Sequence, residues 1–251
     1  MKRAHVISAV LAILVLVAWE VLSRSGSIPG YIMPSPSDIL ATLVDKRELL
    51  MQHTMVTTLE IAGSFVLSVV VGVVLAAILV QLPLVDAVLY PWLLTSQVLP
   101  KVAVAPLLIM WMGFGLMPIM LISVLVAFFP VLVNTMSGLR SVEREPMMLM
   151  NSMGASAWQR FVHLRLPVAL PSVVSSMKIA MTLAAVGAVV GEFVGSNQGL
   201  GYLLLYANGA LDAKLMFAAL ILLSALTMVL YGLVALSEKR LLSWHVSQRH
   251  A

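Results

Sequence analysis

Three charged side chains interrupt stretches that are otherwise apolar: Glu60, Lys101 and Glu192. A charge at the centre of a bilayer costs roughly 2.5–3.5 kcal/mol on insertion scales, so such a residue pairs with a partner or faces a water-filled path. Lys101 has Gln97, Ser96 and Asn134 as candidate polar neighbours on a path. The competing reading is that Pro100 and Pro106 break the helix around it, and Lys101 snorkels or pairs with a carboxylate such as Glu60. Glu192 fits an outer gate or a solvated surface position. No group of residues matches a reaction. No His-Glu-x-x-His, nucleophile elbow or phosphate-loop pattern occurs. The five histidines have no metal-ligand spacing, and there is no cysteine to supply a thiolate ligand, a disulfide or a thiol nucleophile. The seventeen methionines are adaptable apolar packing. The expectation is a chain with no catalytic residue, no metal and no cofactor of its own.

The segment 137–172 has the most informative spacing. Glu145 and Pro146 mark a helix start, with an acid at the positive end of the helix and proline in its first turn. Gly154 ends that helix. Ala155 follows, and Ser156 caps a second, short helix in which Trp158, Phe161 and Val162 stand at i, i+3 and i+4. Leu166 and Pro167 close it, and Pro171 follows. This spacing predicts a helix–glycine–helix hairpin with an exposed aromatic stripe. Such a hairpin serves as a docking surface, or lies on lipid headgroups with Arg160 and Arg165 on phosphates.

The elements that must carry these residues follow from composition. Of 251 residues, 61% are apolar and 10% are charged, against about 25% charged in a soluble domain. The mean hydropathy is +1.03. A soluble fold of this length cannot bury that much apolar surface, and disorder is excluded by the same excess. Spans of about 20 apolar residues are predicted at Val6–Ser23, Val56–Val80, Ala87–Met112, Leu116–Met136, Ser175–Gly195 and Leu215–Ser237. Ala87–Met112 is the irregular one, with three prolines and Lys101 inside it. Val6–Ser23 also has the look of a signal peptide, although no A-x-A-like cleavage site follows it.

With the N-terminus inside, ten basic residues fall on the inner side: Lys2, Arg3, Arg140, Arg144, Arg160, Arg165, Lys178, Lys239, Arg240 and Arg249. Four fall outside: Arg24, Lys46, Arg47 and Lys214. The positive-inside rule therefore places both termini and segment 137–172 in the cytoplasm. The excess of basic residues is explained by topology and implies no nucleic-acid partner. The predicted division is 1–55 (first helix and external connector), 56–245 (core) and 246–251 (tail). In the connector, Ser37 or Asp38 is expected to cap a short helix running through Glu48. Gly195–Gly201 predicts a turn or a re-entrant hairpin. Gly187, Gly191, Gly195 and Gly199 form a small-residue stripe that allows close helix contact.

Segment 137–172 resembles the cytoplasmic loop of the integral-membrane subunits of bacterial ABC importers. Gly154-Ala155-Ser156 matches the centre of that pattern, and Phe161, Leu164, Leu166-Pro167 and Pro171 match its second half. Met148-Leu149-Met150 departs from it, standing where Glu-Ala-Ala is expected. Pro100–Leu107, Trp111–Gly115 and Gly191–Ser196 with Gly199–Tyr202 are similar to permeases for nitrate, sulfonate and taurine. They are most similar to those for thiamine pyrimidine precursors or riboflavin. The resemblance implies an all-α type I importer permease in the inner membrane, non-catalytic and working as a homodimer. Its partners would be a cytoplasmic ATPase dimer that binds the ATP, and an external substrate-binding protein. Gly154, Ala155, Ser156, Trp158, Phe161, Leu166, Pro167 and Pro171 would form the coupling helix. An ion-coupled secondary transporter is the alternative, and it predicts internal repeats that the sequence does not display.

Overall fold

The computed structural model describes residues 2–26 and 29–242, and among these every regular element is a helix. That is the form lipid imposes, because a helix satisfies its backbone hydrogen bonds within one segment. In order the helices are α1 (Lys2–Arg24), α2 (Pro36–Asp45), α3 (Arg47–Gln81), α4 (Pro83–Thr95), α5 (Lys101–Met112), α6 (Leu116–Arg140), α7 (Arg144–Ser152), α8 (Ala157–Arg160), α9 (Leu166–Gly195), α10 (Leu200–Gly209) and α11 (Ala213–Leu241). Among the described residues, four helical stretches are long and apolar enough to cross a bilayer: Arg47–Gln81, Leu116–Arg140, Ala157–Gly195 and Ala213–Glu238. α1 adds 23 residues of apolar helix.

Several expectations change. The connector helix is capped by Ser35, whose hydroxyl accepts from the Asp38 N–H, with Pro36 at the first helical position. It ends at Asp45. Arg47 and Glu48, expected in that helix, begin α3 instead, nine residues before the predicted span. Ala87–Met112 is not a single helix. Pro100 cannot donate to a continuing helix, and residues 96–100 separate α4 from α5. Each half is about 18–20 Å long at 1.5 Å per residue, shorter than a hydrocarbon core of about 30 Å. The glycine-rich segment gives a turn at 196–199, and Gly199 then starts α10. The tail 246–251 lies outside the described residues.

Pro167 does not stop the second helix of the hairpin. The backbone passes from α8 through one π-helical turn, Phe161–Arg165, into α9 without leaving helical dihedrals. In that turn the Leu166 N–H reaches the Phe161 carbonyl. The wider turn accommodates a proline that lacks a donor and crowds the preceding carbonyl.

The helices divide into two compact units. One takes the chain up to Thr57 together with Asn197–Leu226. Its core holds Ile39, Leu50, Leu200, Leu203 and Leu215, with Trp19 and Phe217 packed against it. Lys46 Nζ lies 2.8 Å from Asp212 Oδ2, and Lys214 Nζ lies 3.1 Å from Asp38 Oδ2. Asp212 also caps α11, accepting from the Leu215 N–H. Burial pushes the Asp212 carboxyl up, but the Lys46 and Leu215 bonds and the two lysine charges outweigh it and hold it below the usual aspartate range.

The other unit takes Thr58–Ser196 and the chain from Thr227. Ala76, Leu79, Leu132, Met136, Leu139, Phe161 and Ala169 form its core cluster. α9 presses on its neighbours along the glycine stripe. A Cβ on Gly187 would stand 2.5 Å from the Ser123 Cα, and one on Gly191 would stand 2.9 Å from Ile119 Cγ2. One on Gly195 would stand 2.1 Å from Ile109 Cδ1. The stripe therefore serves contacts within the chain, against α5 and α6.

Candidate functional site

The hairpin between α6 and α9 is built from local signals. At the end of α7, the Ala155 N–H bonds the Met150 carbonyl at 3.0 Å and the Gly154 N–H bonds the Asn151 carbonyl at 3.0 Å. With Gly154 at φ +73°, this is a Schellman closure, in which glycine takes the left-handed residue without a Cβ penalty. Two residues later Ser156 starts α8 with a reciprocal cap. Its hydroxyl accepts from the Gln159 N–H at 3.2 Å, and the Gln159 side chain accepts from the Ser156 N–H at 2.8 Å. Arg160 reaches back to Asn151. Both sides of the turn are thus held by the chain's own hydrogen bonds.

The aromatic pair divides between two surroundings. The Trp158 and Phe161 rings stack at 5.8 Å. Trp158 is 66% exposed, whereas Phe161 is 9% exposed and belongs to the core cluster. The expected exposed stripe is therefore corrected to one exposed aromatic, and Phe161 anchors the hairpin to the bundle. The rest of the exposed apolar surface comes from α7 and the turn: Met148, Leu149 and Met153, the last 76% exposed. Sequence reading missed these three as surface residues. Their signal was present, since Met148 and Leu149 are apolar residues on a helix that also carries Arg144, Glu145 and Asn151, and Met153 follows that helix directly. A recess of about 320 Å³ lies beside them, lined by Met150, Met153, Gly154, Ala155, Gln159 and His163. Leu166 and Pro167 open α9, and Pro171 lies inside it.

The charges within the apolar stretches fall into two groups. Lys101 donates to Gln97 Oε1 at 2.9 Å across the break between α4 and α5, and its ammonium lies 5.8 Å from the Phe129 ring centroid. Its partners are thus Gln97 and Phe129, and the suggested pairing with Glu60 is not formed. Asn134 bonds the Pro130 carbonyl one turn earlier on α6. Glu60 faces Glu192 instead, carboxyl to carboxyl, and each is 1% exposed. Glu192 is therefore not a solvated surface residue. Glu60 belongs to a polar stripe that sequence reading passed over: Thr57, Glu60, Ser64 and Ser68, all buried, at helical spacing on α3. Ser123, Thr135 and Ser176 are buried as well, on α6 and α9. No group of metal-ligating side chains occurs among the described residues.

Residues 68–243 match the family described as the binding-protein-dependent transport system inner membrane component. The chain belongs to that family. This permease is 40% identical over 216 residues to a probable ABC transporter permease protein of Haemophilus influenzae, covering 86% of this chain and 88% of the relative. It is 37% identical to a riboflavin transport system permease of Chloroflexus aurantiacus, covering 93% and 88%. It is 34% identical to a formylaminopyrimidine transport permease of Halalkalibacterium halodurans, covering 94% of each chain. Its fold is similar to a chain of the inward-facing methionine ABC transporter MetNI, with a TM-score of 0.65 at 21% identity, covering 79% of this permease and 97% of that chain. The permease is an all-α, multi-pass component of the inner membrane and a transport subunit.

Proposed function

We propose that this permease is the translocation subunit of an ATP-driven importer and docks a cytoplasmic ATPase through the hairpin 144–165. The carrying observation is the hairpin itself. A Schellman closure and a capping box hold it rigid, and it presents Met148, Leu149, Met153 and Trp158 to solvent on a chain with little other soluble mass. Rigid, exposed apolar and aromatic anchors are what concentrate binding energy at protein interfaces. Gly154, Ala155 and Ser156 form the turn, Phe161 transmits its position to the bundle core, and Leu166, Pro167 and Pro171 lead it into α9. ATP is bound and hydrolysed on the partner, a dimer that matches two copies of the permease. Both termini lie in the cytoplasm, and a soluble binding protein delivers solute on the outer face.

The solute is a small polar heterocycle of the riboflavin or formylaminopyrimidine kind, a reading supported by the names of the relatives at 34–37% identity. Lys101, Gln97 and Asn134, all half-buried, are the polar groups we assign to its path, together with Glu60 and Glu192, which are buried. The test is capture of the ATPase subunit by the purified permease. Trp158→Asp and Met153→Asp are expected to abolish capture while leaving membrane insertion intact. Undiminished capture by both variants would remove the docking role. Uptake of labelled riboflavin, formylaminopyrimidine and taurine by the whole transporter decides the solute class, and uptake of taurine alone would overturn the heterocycle reading.

A further inference from the structure

The first three turns of α3 and the turn that leads into α10 border a recess of about 1130 Å³. That is just above the roughly 300–1,000 Å³ of ordinary small-molecule sites. Every residue that lines it belongs to the unit that joins the chain up to Thr57 with Asn197–Leu226. The lining mixes three carboxamides, Gln52, Asn197 and Gln198, with the thioethers of Met51 and Met55. Arg47 and Glu48 line it too, and their charges cancel. Each carboxamide offers donors and an acceptor together. The side chains of Gln52 and Asn197 are exposed and make no hydrogen bond among the described residues.

The recess is preformed. Gly199 opens α10 with no side-chain cap of its own. Its N–H donates instead to His53 Nδ1 at 2.9 Å, and the Leu200 N–H donates to the Thr57 hydroxyl at 2.7 Å. Two side chains of α3 thus satisfy the first donors of α10 and fix the turn that carries Asn197 and Gln198. Rings stack from Tyr206 through Tyr202 to His53, with centroids 6.2 and 5.9 Å apart, and His53 is the one of the three that lines the recess. Such a wall suits a flat guest: thioethers and an imidazole meet its faces, and carboxamides meet its polar edge. The balanced pair Arg47 and Glu48 favours neither an anion nor a cation. A zwitterion would depend on those two residues instead of on the carboxamides.

We propose that this recess binds the solute itself, an uncharged planar heterocycle with adjacent hydrogen-bond donors and acceptors, before it enters the bundle. Gln52 and Asn197 bond the polar edge of the ring, and Met51 and Met55 pack against its face beside His53. With both termini in the cytoplasm, Arg47 at the start of α3 lies outside, and the recess opens to the side from which solute arrives. Resting on the importer reading above, the recess adds a solute site on the permease that is separate from Lys101.

The experiment titrates riboflavin, formylaminopyrimidine and taurine calorimetrically into the full chain in lipid nanodiscs, against empty nanodiscs. Saturable binding of at least one of the two heterocycles is expected, and none of taurine. Gln52→Leu and Asn197→Leu are each expected to weaken that binding about 2–10-fold, the loss of an ordinary hydrogen bond, while Arg47→Gln leaves it within about twofold. Both leucine variants change exposed side chains, and their folding is checked by capture of the ATPase subunit, which neither should alter. No saturable binding of either heterocycle overturns the proposal, as does unchanged affinity in both leucine variants. Binding of taurine in their place, lost in Arg47→Gln, overturns the heterocycle assignment. Uptake by the whole transporter separates the two levels: heterocycle uptake with no heterocycle bound by the permease overturns the recess alone, whereas uptake of taurine alone overturns the solute class and the recess with it.

Discussion

Gly154 offers a clean test of how the hairpin is held. Its φ is +73°, and no atom lies within 4 Å of where a Cβ would sit. Any effect of a small side chain there is conformational, not steric. For a residue with a Cβ the left-handed region costs roughly 1–2 kcal/mol. Asparagine enters that region several-fold more readily than most residues, and a β-branched residue is an outlier in it. The expected order of hairpin integrity is Gly > Asn > Ala > Val. If the cost falls wholly on the form competent to dock, alanine reduces that population by a factor of about 5–30. The assay is equilibrium binding of the purified ATPase subunit to permease variants in nanodiscs, with intact insertion checked by protease protection. Wild-type affinity for Gly154→Ala would refute the conformational argument. So would a Gly154→Asn variant weaker than Gly154→Ala, because the loss would then follow side-chain size at the interface and not backbone dihedral.

Three further outcomes follow from the packing and the charges. Gly187→Ala should destabilise the permease by about 1–3 kcal/mol, the usual range for overpacking, because its Cβ meets the Ser123 backbone at 2.5 Å. Gly232→Ala, with nothing within 4 Å, should leave the unfolding temperature unchanged or slightly raised, and equal shifts in the two would count against the packing account. The Asp212 carboxyl lies below its ordinary range in the folded chain, so its bonds contribute stability above the unfolded aspartate value of about 3.9 and lose it as pH falls through the lower folded value. Wild type and Asp212→Asn should therefore differ in unfolding temperature at pH 6 and converge toward pH 3; a gap that widens on acidification would contradict the sign. Lys101→Met should lower transport by the assembled complex without lowering its yield, and full transport would remove Lys101 from the path.

The hairpin was legible in the sequence because its signals are local. Gly154 needs only its own dihedral, and Ser156 and Gln159 are three residues apart, within reach of each other in any chain that starts a helix there. Prolines were the weakest guide. Pro100 does break a helix, but Pro106, Pro130 and Pro171 sit inside α5, α6 and α9, and Pro167 passes through on a π turn. A proline states that one donor is missing and leaves open how the neighbouring turns adjust.

Composition and periodicity by themselves determined that this chain lies in lipid as helices, with a braced loop of recognisable pattern between α6 and α9. Those properties come from solvent and from residues a few positions apart. The tertiary structure decided which apolar residues stay outside and which charge meets which. Trp158 and Phe161 are three residues apart on one helix, yet one faces solvent and the other fills the core, because only Phe161 reaches Leu79, Leu132 and Ala169. Glu60 and Glu192 are separated by more than a hundred residues of sequence, and nothing in either's neighbourhood names the other. Burial of both carboxyls is a product of helix packing, of the same order as the close glycine contacts of α9 with α5 and α6, and side-chain pattern alone does not encode it.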